Sequence, residues 1–399
     1  MAGVRTSEHD DLTALPVCNR FRHAVDLEHS LPWLALRLTS GLGARLAGKL
    51  LRQFGSPEEI FRASLTELEA CQLPVAAAQA VFSKAAFRDA EKELAQVRKA
   101  GCHLIHWEES AYPKRLAEIY DPPPLLYVRG NEQVLNRHAI SIVGTRRPTP
   151  YGNQIAEKLA RDLAEHGLIV VSGLARGIDS SAHRGACATS RGGTIGVLGS
   201  GIDVIYPKEN RKLFEEVEKR GAIITEFPMG TYPAPENFPV RNRMVAGMAL
   251  GVVVVQGAQY SGSLITSRLA MEFGREVYGV PGNVSEPVSF APNQLIKQGA
   301  KLVSGWEDVV EELPTEVRAE LFPVEATTQE ERASLFEENL SPIEKRLFDL
   351  IRIEEPIHVD ELVETTGLSS SQTLAALCEM EMRGIIRQMP GKQFVRVLL

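Results

Sequence analysis

Six loops in the middle of this chain combine small residues with cations in a way that suits phosphate groups. They read VGTRRPTPYG (Val143 to Gly152), SGLARGID (Ser172 to Asp179), GSGIDVIYPKEN (Gly199 to Asn210), FPMG with FPVRNR (Phe227 to Arg243), QYSGSLIT (Gln259 to Thr266) and PGN (Pro281 to Asn283). Small residues let backbone N–H and hydroxyl donors approach an anion. Arg146, Arg147, Lys208, Arg211, Arg241 and Arg243 would add charge and forked hydrogen bonds. The loops carry no GxxxxGK[ST] string, and the first βα turn is GTRRPT, with Arg146 where a dinucleotide fingerprint needs a glycine. Repeated cationic loops without a nucleoside fingerprint fit a groove for a polyanion better than a small-nucleotide pocket.

Catalytic constellations are sparse. Ser261 and Ser263 have no evident His base, and Asp179 with His183, one helical turn apart, forms either an acid/base pair or, as favoured here, a helix-stabilising bond. His103 and His106 have no third ligand at metal spacing, and the five cysteines form no CxxC pair. No catalytic residue, metal or cofactor is therefore expected.

The elements that must carry these loops alternate. From Ala139, apolar β-rich runs (AISIVGT, LIVVSG, TIGVLGSG, AIITEF, VVVV, VYGVPG) are separated by helical stretches. This pattern predicts an α/β fold: an extended, Rossmann-like, doubly wound and mostly parallel sheet over residues 103–313, with the loops at the carboxyl ends of its strands. Pro122 to Pro124 must be extended and are expected to lead into an edge strand.

Two smaller regions flank the sheet. Residues 1–30 read as a loose tail. In residues 31–102, Leu38, Leu42, Leu46, Leu50 and Phe54 stand at helical spacing around the Gly41/Gly43 turn. This N-terminal helical domain is either a helix-hairpin-helix, whose turn can offer N–H groups to phosphate, or a packing module of the sterile-alpha-motif kind. Residues 314–340 read as an acidic linker, and residues 341–399 as a C-terminal winged helix. Its recognition helix carries Glu379 and Glu381 against Arg383, which favours an interaction module over a duplex reader.

Composition bounds the function classes. The 399 residues are 44% hydrophobic and 24% charged, as in ordinary globular proteins, and the net charge is −7. That charge is uneven: residues 140–300 hold 17 Lys and Arg against 14 Asp and Glu, whereas residues 301–399 hold 10 against 20. The cationic middle keeps a nucleic-acid partner open despite an acidic pI of 5.8. The polar start MAGVRTSEHDD lacks a signal-peptide core, and the uncharged run Met244 to Ser267 is too polar to span a bilayer, so a cytoplasmic, membrane-free protein is expected.

The strings YPKRLAEIYDPPPLLYVRG, SIVGTRRPTPYG, VSGLARGIDSSAHRGA, GVLGSGIDVIYPKEN, ITEFPMGTYP, FPVRNRMVAG, SGSLITSRLAMEFGREVYGVPG and LIKQGA resemble the DNA-processing protein A family, DprA or Smf, across roughly Tyr112 to Ala300. The resemblance implies an ATP-independent cytosolic protein that binds and protects single-stranded DNA, loads the RecA recombinase during natural transformation, and forms homodimers through its Rossmann-like domain. It places Arg146 in the DNA pocket and matches Lys208 to a family lysine. The resulting DNA-binding set is Gly144, Arg146, Arg147, Ser172, Gly173, Lys208, Arg241, Arg243, Ser261, Gly262 and Ser263. Two positions depart from the family pattern: Gln256 stands for an acid in VVQGA, which argues against acid catalysis there, and APNQLI replaces a Gly-Ser-Asn pattern near Asn293. The competing enzyme reading is a nucleotide phosphoribohydrolase on a related sheet. Its PGGxGT motif is PGNVSE here (Pro281 to Glu286). A third reading is an adaptor that does not touch nucleic acid.

Overall fold

The computed structural model describes residues 29–322, 340–352, 356–383 and 385–396. They fall into two compact units, one reaching Leu321 and the other starting at Phe322. Nearly all of the expected tail and most of the expected linker lie outside the described residues.

Among the described residues, the first unit begins with six helices: α1 (Leu31–Leu38), α2 (Ala44–Phe54), α3 (Pro57–Arg62), α4 (Leu65–Ala70), α5 (Val75–Phe82) and α6 (Phe87–Ala100). Serines at the helix starts supply the hydrogen-bond acceptors that the first turns need. Ser56 accepts from the Glu59 N–H, and Ser64 forms a reciprocal capping box with Glu67. These helices do not stand apart from the sheet. Leu34, Leu50 and Leu68 share one apolar core with Leu125, Phe214 and Ile223. The buried Glu93 carboxylate of α6 accepts from the Tyr127 hydroxyl (2.8 Å) and the Met229 N–H (2.7 Å).

The sheet has nine strands: β1 (His103–His106), β2 (Leu125–Gly130), β3 (Ala139–Val143), β4 (Ile169–Ser172), β5 (Gly193–Val197), β6 (Ala222–Thr225), β7 (Gly251–Val254), β8 (Glu276–Gly279) and β9 (Lys301–Leu302). Their order is β1-β2-β6-β5-β4-β3-β7-β8-β9. β3 to β9 pair in parallel, and β1 and β2 run antiparallel along one side. The five strands from β3 to β7 are buried along their whole length, which is why they read as continuous β-branched runs and not as alternating ones. The helices packed on this sheet are α7 (Pro150–Glu165), α8 (Ile178–Cys187), α9 (Arg211–Arg220), α10 (Asn237–Gly247), α11 (Gly262–Glu272) and α12 (Phe290–Lys297).

Two expectations change. The strand after Pro122 to Pro124 is β2, and it is not at the edge: it lies between β1 and β6. His106 of β1 stacks on Trp33 (4.4 Å between centroids) and meets Glu109 at 3.2 Å, so the His103/His106 pair belongs to the edge strand and its packing. After β9 and helix α13 (Trp306–Glu311), a further helix, α14 (Thr315–Leu321), occupies the start of the segment read as linker. Its buried Val317 joins the core formed by Ile140, Leu163 and Val309.

Among its described residues, the second unit holds α15 (Pro342–Leu350), β10 (Ile357–His358), α16 (Val359–Thr366), α17 (Ser370–Met382), β11 (Ile386–Met389) and β12 (Gln393–Arg396), with strand order β10-β12-β11. Three helices and a small antiparallel sheet around Leu347, Leu362, Leu377 and Phe394 make a winged helix. Ser341 caps α15 in a capping box with Glu344, and Glu344 also holds Arg383 at 3.0 Å.

Candidate nucleic-acid interface

The strand order fixes where a ligand can enter. From β3 the chain proceeds outward through β4, β5 and β6, then returns to lay β7 on the other side of β3. The loops that leave β3 and β7 therefore diverge, and a crevice opens beyond their carboxyl ends. A cleft of about 1140 Å³ occupies this position, lined by residues 143–147 after β3 and 258–263 after β7.

Gln256 holds the first of these loops. Its side-chain oxygen accepts from the Thr149 N–H (3.0 Å), its amide donates to the Thr149 hydroxyl (2.9 Å), and its backbone oxygen accepts from the Thr145 N–H (2.7 Å). The Gln256 amide thus ties the loop down at Thr149. Gly144 is required by crowding: a Cβ there would meet Ile178 at 2.6 Å and the Gln256 carbonyl at 2.7 Å. Asn293 clamps the PGN loop, accepting from the Gly282 N–H (3.1 Å) and donating to its carbonyl (2.9 Å).

The cations are distributed unevenly. Arg146 is exposed, lines the cleft and lies over the Phe238 ring, 4.9 Å from its centroid. Arg241 also lines the cleft and faces the same ring at 6.0 Å, but is only 5% exposed. It donates to the Val197 carbonyl at 3.1 Å, and its Nε has no hydrogen-bond partner. Burial lowers the Arg241 pKa; the Asp179 charge opposes that shift and Arg146 adds to it. Arg147 is an exposed member of the same lining. Ser261 caps α11, with its hydroxyl 2.8 Å from that of Ser263, and Gly262 beside it has open space around its Cα. Lys208 is exposed two residues beyond Tyr206, which lines the cleft, but is not itself part of the lining.

Other sequence-predicted residues are placed elsewhere. Ser172 is fully buried and donates to the Ile142 carbonyl at 2.6 Å, so its hydroxyl is spent on the sheet. Gly173 supplies space and not a contact, because its missing side chain is where the Arg241 guanidinium sits. Arg243 does not reach this cleft: it turns to a different one and pairs with Glu226 (2.7 Å) and Asp121 (3.3 Å). Arg211 pairs along its own helix with Glu215 at 3.9 Å.

No bond joins Asp179 to His183, so the expected helix-stabilising bond does not form and each side chain is engaged elsewhere. His183 is fully buried, and its Nε2 accepts from the Leu174 N–H (3.3 Å), which leaves the proton on Nδ1 to donate to the Thr194 hydroxyl (2.7 Å). Burial lowers its pKa to about 3. Asp179 accepts from the Gly173 N–H at 3.2 Å, and burial raises its pKa against the pull of Arg241. Both groups hold the SGLARG loop, in which Leu174 has φ of +52° and Asn210 donates to the Leu174 carbonyl (2.9 Å). Among the described residues, no three His, Cys, Asp or Glu side chains gather as metal ligands would.

Sequence reasoning missed the aromatic component. Tyr206, Tyr232, Phe238, Tyr260 and Phe290 line the cleft together with the arginines. Tyr260 is 93% exposed and Tyr232 77%, an unusual display for rings with no apolar cover. Aromatic residues scattered through the same loops as the cations were the available signal.

The fold is a doubly wound Rossmann-like α/β domain, with its cationic and aromatic cleft at the switch point, accompanied by a winged-helix unit. The family model for DNA recombination-mediator protein A matches residues 103–314, and that for the DprA winged helix domain matches residues 330–392. The chain is 44% identical over 222 residues to DNA processing protein DprA of Bacillus subtilis, covering 55% of this chain and 74% of the relative. It is 31% identical to Protein Smf of Synechocystis over 395 residues, covering 91% of this chain and 98% of the relative. The X-ray structure of DprA from Streptococcus pneumoniae superposes with a TM-score of 0.64 at 32% identity, covering 71% of this chain and 98% of that one. The chain belongs to the DNA recombination-mediator protein A family. Among the described residues, no helix is long and apolar enough to cross a membrane.

Proposed function

We propose that this protein works in DNA processing as a binder of single-stranded DNA, protecting incoming strands and delivering them to the RecA recombinase during transformation and recombination. The observation that carries the reading is the Arg146 guanidinium over Phe238, in a cleft where exposed Tyr232 and Tyr260 stand beside cations. Unpaired bases offer π-faces to such rings and their phosphates meet the arginines, which gives sequence-tolerant binding. A duplex keeps its bases stacked and cannot use the rings in this way. The commitment of Asp179 and His183 to loop structure supports binding without catalysis. The delivery step, action in the cytoplasm and a homodimeric state rest on family membership.

Fluorescence anisotropy with labelled single-stranded and duplex oligonucleotides across a salt series tests the reading. Single strands are expected to bind more tightly, with log K falling by about 0.7 per neutralised phosphate as log salt rises. Arg146→Ala should weaken single-strand binding by more than about tenfold, the order expected for one charge-assisted contact. Equal affinity of wild type and Arg146→Ala would remove Arg146 from the site. Faster RecA filament growth on a coated strand would test delivery, and sedimentation would test the dimer.

A further inference from the structure

A second cleft, of about 1010 Å³, lies between the N-terminal helices and the sheet, and Pro239 of α10 is a wall of both clefts. Arg243 and Glu226 line it. Arg243 is 6% exposed, and although it pairs with Glu226 and Asp121, its Nη1 donor has no partner; nor does the Oε1 acceptor of Glu226. A buried ion pair with a spare donor on one member and a spare acceptor on the other matches a ligand edge that carries both kinds of group, as the Watson–Crick edge of each nucleobase does.

The same cleft offers the remaining parts of a nucleotide site. The N-terminus of α2 meets it at Gly43, with no side-chain cap and no acid in the first turn, and a Cβ on Gly43 would touch nothing within 4 Å. Such a helix start presents unsatisfied N–H groups to phosphate. Arg45, in that first turn, lies 5.5 Å from the centroid of the Tyr120 ring, and Tyr120 is 69% exposed. Ring and guanidinium together form a platform on which a base can stack. Of the four carboxylates in the lining, Glu118 is engaged by Arg275 (2.7 Å) and Asp121 and Glu226 by Arg243, while the exposed Glu272 has no ion-pair partner among the described residues.

We propose that this second cleft binds one nucleotide, its base against Arg243 and Glu226 and its phosphate at the start of α2 beside Arg45. Two sources share that chemistry: the next unit of a strand running past Pro239 from the first cleft, or a free nucleotide. The strand form rests on the single-strand reading above, and the free form does not.

The experiment uses the full chain, with Arg45→Ala and Tyr120→Ala as exposed variants whose folding is checked by thermal melting, and Arg146→Ala as comparator. Anisotropy is measured on thymidine oligonucleotides of increasing length, and calorimetry on deoxyguanosine monophosphate. For a strand, both variants lose about tenfold in affinity for long oligonucleotides, the scale of one base stack. They keep wild-type affinity for the shortest ones, whereas Arg146→Ala weakens all lengths. For a free nucleotide, monophosphate binding by wild type is lost in Arg45→Ala while the oligonucleotides are unaffected. Monophosphate binding that depends on Arg45 in a protein that binds no oligonucleotide would sink the single-strand reading and keep this site. The proposal is overturned when neither ligand, at any length, distinguishes the two variants from wild type.

Discussion

The Arg241 guanidinium occupies the volume that a side chain on Gly173 would fill. The glycine after β4 thus creates a seat for a buried cation from α10, and the Val197 carbonyl fixes one of its nitrogens. Gly173→Ala must displace Arg241 towards the cleft or away from it. Overpacking of this kind costs about 1–3 kcal/mol. Urea denaturation should show that loss, and single-strand affinity should fall with it. A variant with unchanged stability would mean that Arg241 has a second place to sit.

Exposed rings contribute little to the folded state, so their removal isolates binding. Tyr260→Ala and Tyr232→Ala should leave the melting temperature unchanged and weaken single-strand binding by about 1–3 kcal/mol for each base that loses its stack. Tyr260→Phe keeps the face and should retain wild-type affinity. If the alanine variants bind as wild type does, the cleft holds strands through its cations alone.

The strands and the ligand-facing loops were legible because a parallel sheet buried on both faces needs unbroken β-branched runs, and such sheets place their binding loops at the carboxyl ends. Arg146 was found on that ground. Arg241 and Arg243 were not separable in FPVRNR. Two residues along a helix correspond to about 200° of rotation, so one faces the strand-end cleft and the other faces Glu226 and Asp121. Ser172 looked like a donor to ligand because a hydroxyl's partner is set by the neighbouring strand, here the Ile142 carbonyl, which linear order does not reveal. Tyr232 and Tyr260 escaped notice because single aromatics in Pro- and Gly-rich loops carry no periodicity. Strand order, which moved β2 inside, depends on long-range pairing and has no local signature.

His183 gives the fold an acid sensitivity of defined sign. Its folded pKa of about 3 lies below the ordinary 6.5, so between these values the unfolded chain holds a proton that the folded chain lacks. Stability is therefore lost as pH falls from 6.5 towards 3, by up to about 1.4 kcal/mol per pH unit. Asp179 acts in the opposite sense: its pKa is raised above 3.8, so the folded chain takes up that proton first, and some stability returns as pH descends through that interval. Urea midpoints compared between wild type and His183→Gln should show a shallower pH dependence in the variant just below pH 6.5. Parallel curves would mean that His183 is protonated in the folded protein.

Helix α14 sets where the first unit can be cut. Val317 is buried in the core with Leu163 and Val309, and the partly buried Leu321 packs against the same cluster. A chain ending after Leu313 exposes that surface, whereas one ending after Phe322 keeps it covered. Burial of one valine-sized side chain is worth about 1.5–3 kcal/mol, and the shorter chain should be less stable by at least that amount in urea. Both chains retain the strand-end cleft, so the longer one should keep wild-type affinity for single strands. Equal stability of the two truncations would show that α14 adds nothing to the core. A loss of single-strand affinity in the longer one would assign part of the binding to residues 323–399.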